Sequence, residues 1–420
     1  NIAAEATSNL LLENGGVQAL KVNATFAGTI ADAASLLGPI PDYIKGAATG
    51  ELTYTQTLTG QRVLEVSSTL NRADINLAPL PYFKPAGQPA SAEAVVLLNE
   101  RGLESIKRFS LDGPALSLTG EITMKDGGQE FDHAELQNLI VGDSRIGRLS
   151  VVNQPEFMTI ALEDGQLDGR PLIEAILGGQ GKRNANIITG ETEARAGGLN
   201  DKPWIVSVAG IRRFVVPGGK ALNDITLQAT VDKGAVLQFD LSATAPPHLS
   251  GRAPGLGNLR ASMTPRASGF YRLAFESDDA GSLFSTLGLT SDIRGGRIAV
   301  VAESALPLPK GGWLGRMELS DFSILQAPVM VQLLSVASLT GILELASGSG
   351  LQFVSLGSNF TYGNSALYLD DLRMIGPSVG LTGEGSVDFG GRRFEVEGNV
   401  TPFNLLSEFA GSLPIIGGVL

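Results

Sequence analysis

The sequence predicts a mainly β protein, a repetitive antiparallel assembly of strands carrying a few short amphipathic helices. Three observations predict it. Apolar and polar residues alternate with period two along many short segments, Gly-rich turns separate those segments, and one nineteen-residue phrase is written twice. GPALSLTGEITMKDGGQEF runs from Gly113 to Phe131 and GPSVGLTGEGSVDFGGRRF from Gly376 to Phe394, aligned without a gap.

Taken in chain order, ADAASLLGPIPDYIKG from Ala31 follows a strand-like segment, opens with an Asp suited to an N-cap, runs through Leu-rich positions and ends in Gly, which predicts a short helix. PLPYFKPAGQPA, Pro79 to Ala90, is an irregular connector and a candidate module joint. The first copy of the doubled phrase predicts a strand after Gly-Pro, a kink at Gly120, a second strand, a Gly-Gly hairpin and a third strand opening on Phe131. DGRPLIEAILGG from Asp168 is a further helical phrase, and 181–201 and 245–257 are two further joints. DITLQATV places Ile225, Leu227, Ala229 and Val231 opposite Thr226, Gln228 and Thr230. LQFDLSA places Leu237, Phe239 and Leu241 opposite Gln238, Asp240 and Ser242, and the VDKGA turn lies between the two. DDAGSLFSTLGLTSDIRGG from Asp278 repeats the helical phrase with an Asp suited to an N-cap. Ala327 to Leu345 is apolar but interrupted by Gln332, Ser335, Ser338, Gly341 and Glu344, so it reads as a buried or surface-lying helix. The second copy follows, with Gly383 at the kink. RRFEVEGNV sets Phe394, Val396 and Val400 against Arg393, Glu395, Glu397 and Asn399, and TPFNLLSEFAGSLPIIGG from Thr401 closes the series.

Composition narrows the function classes. The 420 residues include 53 Gly and 21 Pro, with 43% hydrophobic and only 18% charged. Apolar area on that scale must be covered in a core or kept for an apolar partner. The net charge of −12, without a basic run, argues against nucleic acid as a partner. The absence of cysteine excludes disulfides, thiol nucleophiles and thiolate metal sites, and suits an oxidising bacterial periplasm. The chain opens on Asn1 and ends in LPIIGGVL, and is read as a fragment of a longer protein.

Catalytic and metal constellations are weak. His133 and His248 are the only histidines, and neither accompanies a Gly-x-Ser-x-Gly elbow. GDSRIG at Gly142 reads as a turn before a strand, Asp278–Asp279 as a helix cap, and Asp370–Asp371 as a solvated strand end. GLG at Gly255 lacks the third glycine of a dinucleotide fingerprint, and no cofactor or metal is expected. No enzymatic activity is expected. The strands can hide their apolar sides in two ways, by pairing into sandwiches or by curling into a trough, and the residues alone leave both open.

From Met317 onward the sequence resembles the AsmA-like C-terminal region of YhdP-type bacterial envelope proteins. The resemblance is carried by Asp321-Phe322, Ala327-Pro328 before a Leu-Leu-Ser segment, Gly350-Leu351 with Phe353, Gly376-Pro377, Gly385 to Asp388, and Leu413-Pro-Ile-Ile-Gly-Gly. It is strongest over about 270–420, and DDAGSLFSTLGLTSDIRGGRI and LPYFKPAGQPA extend it upstream. The resemblance implies one elongated antiparallel sheet, 1–420, curled into a groove. It also implies a lipid-transfer protein of the Gram-negative periplasm, anchored in the inner membrane by a segment outside this sequence. Its partners would be phospholipid acyl chains, the membrane itself and other envelope proteins. On that reading Ile225, Leu227, Leu237, Phe239, Leu241, Phe394 and Val396 face the lipid channel. The alternatives are a structural or regulatory envelope scaffold that moves nothing and, more remotely, a hydrolase on a β scaffold.

Overall fold

The computed structural model describes residues 3–13, 16–30, 43–77, 82–100, 102–125, 128, 130–171, 173, 202–248, 257–325, 350–363, 365–377, 379–388 and 393–402, without the side chains of 3–19, 394 and 402. The fold is mainly β and antiparallel, is not closed into a barrel, and has a single short helix among the described residues. Packing divides the chain into two compact units.

The first unit contains β1 (Ala3–Glu13), β2 (Gly16–Thr29), β3 (Ile44–Thr57), β4 (Arg62–Asn76), β5 (Phe83–Lys84), β6 (Ser91–Asn99), β7 (Gly102–Gly113), β8 (Leu116–Met124), β9 (Phe131–Val141), β10 (Ser144–Asn153) and β11 (Met158–Asp168). It also takes β12 (Trp204–Val215) as far as Arg212 and, within β13 (Ala221–Asp232), the part from Thr226. From β1 to β11 each strand pairs antiparallel with its neighbour in sequence, the two-residue β5 lying alongside β4 in line with β6.

The second unit takes the remaining ends of β12 and β13, then β14 (Ala235–Thr244), β15 (Asn258–Pro265), β16 (Tyr271–Ser277), α1 (Ala280–Thr286), β17 (Ile293–Ser304), β18 (Trp313–Ile324), β19 (Leu351–Gly363), β20 (Ala366–Ile375), β21 (Val379–Asp388) and β22 (Arg393–Pro402). Here too β14 through β22 form an antiparallel meander.

The doubled phrase marks equivalent places in the two units, but its parse changes. Each copy supplies one continuous strand, β8 or β21, and Gly120 and Gly383 sit inside those strands without ending them. The reason is close approach: a Cβ on Gly120 would lie 2.4 Å from the Glu135 carbonyl oxygen, and one on Gly383 2.3 Å from that of Glu397. Asp370 and Asp371 likewise lie inside β20, not at a strand end. Asp371 has φ 54° and occupies a bulge where the register slips between Leu369 and Leu372.

The helical phrase at Asp278 forms α1. Asp279 is its N-cap, accepting the Ser282 backbone N–H at 3.0 Å and the Ser282 hydroxyl at 2.7 Å. Ala280 and Leu283 are fully buried, and α1 packs on the start of β17, where a Cβ on Gly281 would come within 2.5 Å of the Ile293 carbonyl. The helical phrases from Ala31, Asp168, Ala327 and Thr401 fall mostly or wholly outside the described residues, but the Ile44-Lys45-Gly46 end of the first opens β3 and the Thr401-Pro402 start of the last closes β22.

The segment Tyr82–Ala90 folds back onto β4. The Tyr82 hydroxyl donates to the Pro114 carbonyl at 2.7 Å, inside the first copy of the phrase. Lys84 is 1% exposed, and its ammonium donates to the carbonyls of Leu70, Ala73 and Pro85 at 3.1, 2.7 and 3.3 Å. A buried ammonium is tolerated because three polarised oxygens replace its water. Around it, Leu70, Ala73, Ile75, Tyr82, Leu111, Leu116 and Val141 make the buried core of this unit.

Candidate functional site: an apolar sheet face in each unit

In an antiparallel sheet, residues directly opposite one another point to the same face, so register turns separate strands into rows. In the first unit one row reads Ala24, Leu52, Val66, Ala94, Phe109, Gly120, Leu136, Leu149, Leu162. Two residues along, a second reads Val22, Tyr54, Leu64, Val96, Ile106, Ile122, Ala134, Val151, Ile160. Nine strands at about 4.8 Å give each row a length of roughly 38 Å. Beside the first row, the reverse face carries Glu51, Ser67, Glu93, Ser110, Thr119, Gln137, Arg148 and Glu163.

The burial of these rows distinguishes them from a sandwich core. Apart from Leu64, their side chains are half-buried: flanked by their neighbours in the row, yet still reached by solvent. A facing sheet would remove them from water altogether, as the Tyr82–Ala90 segment does for the core beneath it.

The second unit repeats the arrangement with both margins covered. The row Phe239, Met263, Leu273, Ala302, Gly315, Phe360, Leu369, Gly385, Val396 crosses every strand from β14 to β22. Met263, Ala302 and Phe360 in it are buried, packed with Trp313 and Leu308. On the side of α1, the row Leu259, Ser277, Ile298, Leu319, Leu356, Met374, Leu381 is buried at all but Leu356 and Leu381. Between these margins run Leu241, Ala261, Phe275, Val300 and Met317, all half-buried. A half-covered apolar strip bounded by two closed margins is the geometry of a trough floor.

The residues singled out in the sequence fall unequally on this surface. Phe239 and Val396 stand at opposite ends of one row, Phe239 packed against the buried cluster and Val396 42% exposed. Leu241 begins the half-buried strip, and Leu237 lies two residues before Phe239 on β14, also half-buried. Ile225 is buried at 5% exposure and belongs to the second unit, whereas Leu227 is half-buried and belongs to the first. Phe394 lies on β22 opposite Val387, and its side chain is outside the described residues. The longer rows of the first unit were missed. The signal was present as alternation in β6, β7, β9 and β10, but which residues share a row is set by register and by bulges, not by any one strand.

Polar groups elsewhere are engaged structurally. Ser282, His248 and Asp279 lie near one another, yet they are not wired as a nucleophilic triad. The Ser282 hydroxyl donates to Asp279 and accepts the His248 backbone N–H at 2.9 Å, while the His248 ring meets the Ser291 carbonyl at 3.3 Å. His133 lies 3.7 Å from Glu135 on the polar face, where Arg148 also binds Glu135 at 3.0 Å and holds its carboxyl below the usual glutamate range, helped by the Gln137 amide. Asp143, expected in a turn, follows Gly142 in one and pairs with Arg170. A cleft of about 310 Å³ at the end of α1 is lined by Pro217, Lys220, Ser285, Thr286 and Ser291, with Lys220 Nζ 2.5 Å from Ser285 Oγ. Among the described residues no three acidic or histidine side chains converge as a metal site requires, and no helix is long and apolar enough to cross a membrane.

No family model matches the chain, and neither a curated protein nor a solved structure matches it.

Proposed function

We propose that the chain is a lipid-conducting segment, carrying phospholipid acyl chains along the apolar face of its sheets between the two membranes of a Gram-negative envelope. The observation that carries this reading is the pairing of unbroken apolar rows with half-exposure. Among the described residues, the two rows of the first unit carry half-buried apolar side chains across nine strands, and the strip from Leu241 to Met317 does so across five strands of the second. Exposing a sixteen-carbon acyl chain to water costs about 12 kcal/mol at roughly 0.8 kcal/mol per methylene. A small patch would leave most of that barrier standing, whereas a row tens of ångströms long lowers it along its whole length. Such a surface needs no fixed polar site, and it tolerates a heterogeneous mixture of acyl chains. The resemblance to AsmA-like envelope proteins supports the same reading, in which the chain works in the periplasm and another segment tethers it to the inner membrane.

Native mass spectrometry and solvent extraction of the protein purified from a Gram-negative envelope test this directly. Co-purified phospholipid is expected, and repeatedly lipid-free protein would favour a scaffold that holds envelope partners and moves nothing.

A further inference from the structure

The second unit carries a feature that a plain trough does not need. The segment Ala305–Gly312, between β17 and β18, does not turn back directly. It reaches across the β15–β16 hairpin to β14, where Val236 pairs with Leu308 in an isolated bridge and its N–H donates to the Leu308 carbonyl at 2.9 Å. Three strand spacings separate β14 from β17 in a flat sheet, about 14 Å, and the four residues from Ser304 to Leu308 can span about that distance when extended. Leu308 and Val236 pack on the cluster of Met263, Ala302 and Trp313, so the strap lies over the apolar face.

Its attachment is slight. Among the described residues one backbone hydrogen bond ties it to β14, while Leu306 stands 53% exposed and Pro309 and Lys310 are exposed. What it covers is chemically incomplete. Trp313 is 3% exposed, and among the described residues its indole N–H has no hydrogen-bond partner. Gly311 of the strap sits directly over that nitrogen: a Cβ there would be 2.8 Å from Nε1 and 2.4 Å from Ser304 Oγ. A buried indole N–H ordinarily finds an acceptor, and one left without signals either a missing ligand or a second conformation. Tyr271 and Tyr362 lie in the same cluster, so this end of the row has apolar bodies with polar tips, as a lipid ester region requires.

We propose that Ala305–Gly312 is a gate over a phospholipid site. With the strap lifted, an acyl chain lies along Met263, Leu273 and Ala302, and the Trp313 indole N–H donates to the ester carbonyl of that lipid. This deepens the reading of the unit as a lipid conduit and rests on it. The closed strap leaves the indole unsatisfied, and bound lipid supplies the acceptor, so the lipid itself favours opening.

The chain contains two tryptophans and no cysteine, which makes the test clean. In a Trp204→Phe protein, Trp313 is the sole tryptophan. Vesicles of phosphatidylcholine brominated in mid-chain should quench its emission at least twofold relative to unbrominated vesicles. Adding Val236→Cys and Leu308→Cys creates the only thiols, at a cross-strand pair suited to a disulfide. Oxidation should abolish the quenching and reduction restore it. If the locked protein folds poorly by circular dichroism, Gly311→Ala replaces it, since its added Cβ forces the strap outward and should increase quenching. Trp313 that stays unquenched in a protein still carrying lipid by native mass spectrometry overturns the gate and leaves the conduit standing. Equal quenching in oxidised and reduced protein also overturns the gate. Absence of lipid by native mass spectrometry overturns the conduit and the gate with it.

Discussion

Gly120 illustrates how narrowly single positions are constrained in a sheet whose strands approach this closely. Gly120→Ala would drive its new methyl to 2.4 Å from a backbone carbonyl of β9, which cannot swing aside. A loss of about 1–3 kcal/mol is expected from such overpacking, read as a lower urea midpoint. Gly357→Ala is the control, because its nearest neighbour would be the Arg316 guanidinium at 4.0 Å. It should unfold like the parent. Lys84→Met keeps the length of the side chain but leaves three buried carbonyls without their donor, and a loss of about 3 kcal/mol is expected by the same measurement.

Glu135 gives a pH-dependent counterpart on the polar face. Its carboxyl is held low chiefly by the Arg148 hydrogen bond. A depressed carboxyl stabilises the fold above the unfolded glutamate range and loses that contribution as pH falls through its folded value. Arg148→Met should therefore cost more stability at pH 7 than at pH 3. The pair is exposed, so the difference should be small and should shrink further in high salt.

At the scale of elements, the same aspartates show what could and could not be read beforehand. The alternation in DITLQATV and LQFDLSA predicted β13 and β14, and Asp279 was legible as a cap because its acidic side chain immediately precedes an apolar run. Asp371 was not legible as a bulge. The left-handed conformation appears at Asn138, Asp164, Asp224, Asp321 and Asp371, each inside a strand, and a lone Asp in a strand looks in sequence like a solvated residue. Its backbone is decided by where the neighbouring strand slips register, which is a tertiary fact. Asp371→Gly should be tolerated or mildly stabilising. Asp371→Val should cost about 1–2 kcal/mol, because a β-branched residue resists positive φ. The Tyr82–Ala90 segment was similarly opaque: Lys84 in a Pro-rich connector reads as surface, and only the three converging carbonyls explain why it is buried.

For the whole molecule, each unit was legible as an antiparallel meander because the doubled phrase and the turns recur. The rows were not, since they depend on the summed register of many strands and on every bulge between them. Seven candidates drawn from three strands therefore sampled the apolar surface without finding its longest stretches. The central claim is that hydrocarbon travels on one face of the sheet and not on the other. Photo-crosslinking resolves the faces: benzoylphenylalanine placed singly at Leu149, Ile160 or Met317 on the apolar face, and at Arg148 or Glu318 on the reverse, followed by illumination in cells and mass analysis of lipid adducts. Adducts are expected at the first three positions and not at the last two. Adducts at both sets alike, or at neither, would contradict the account.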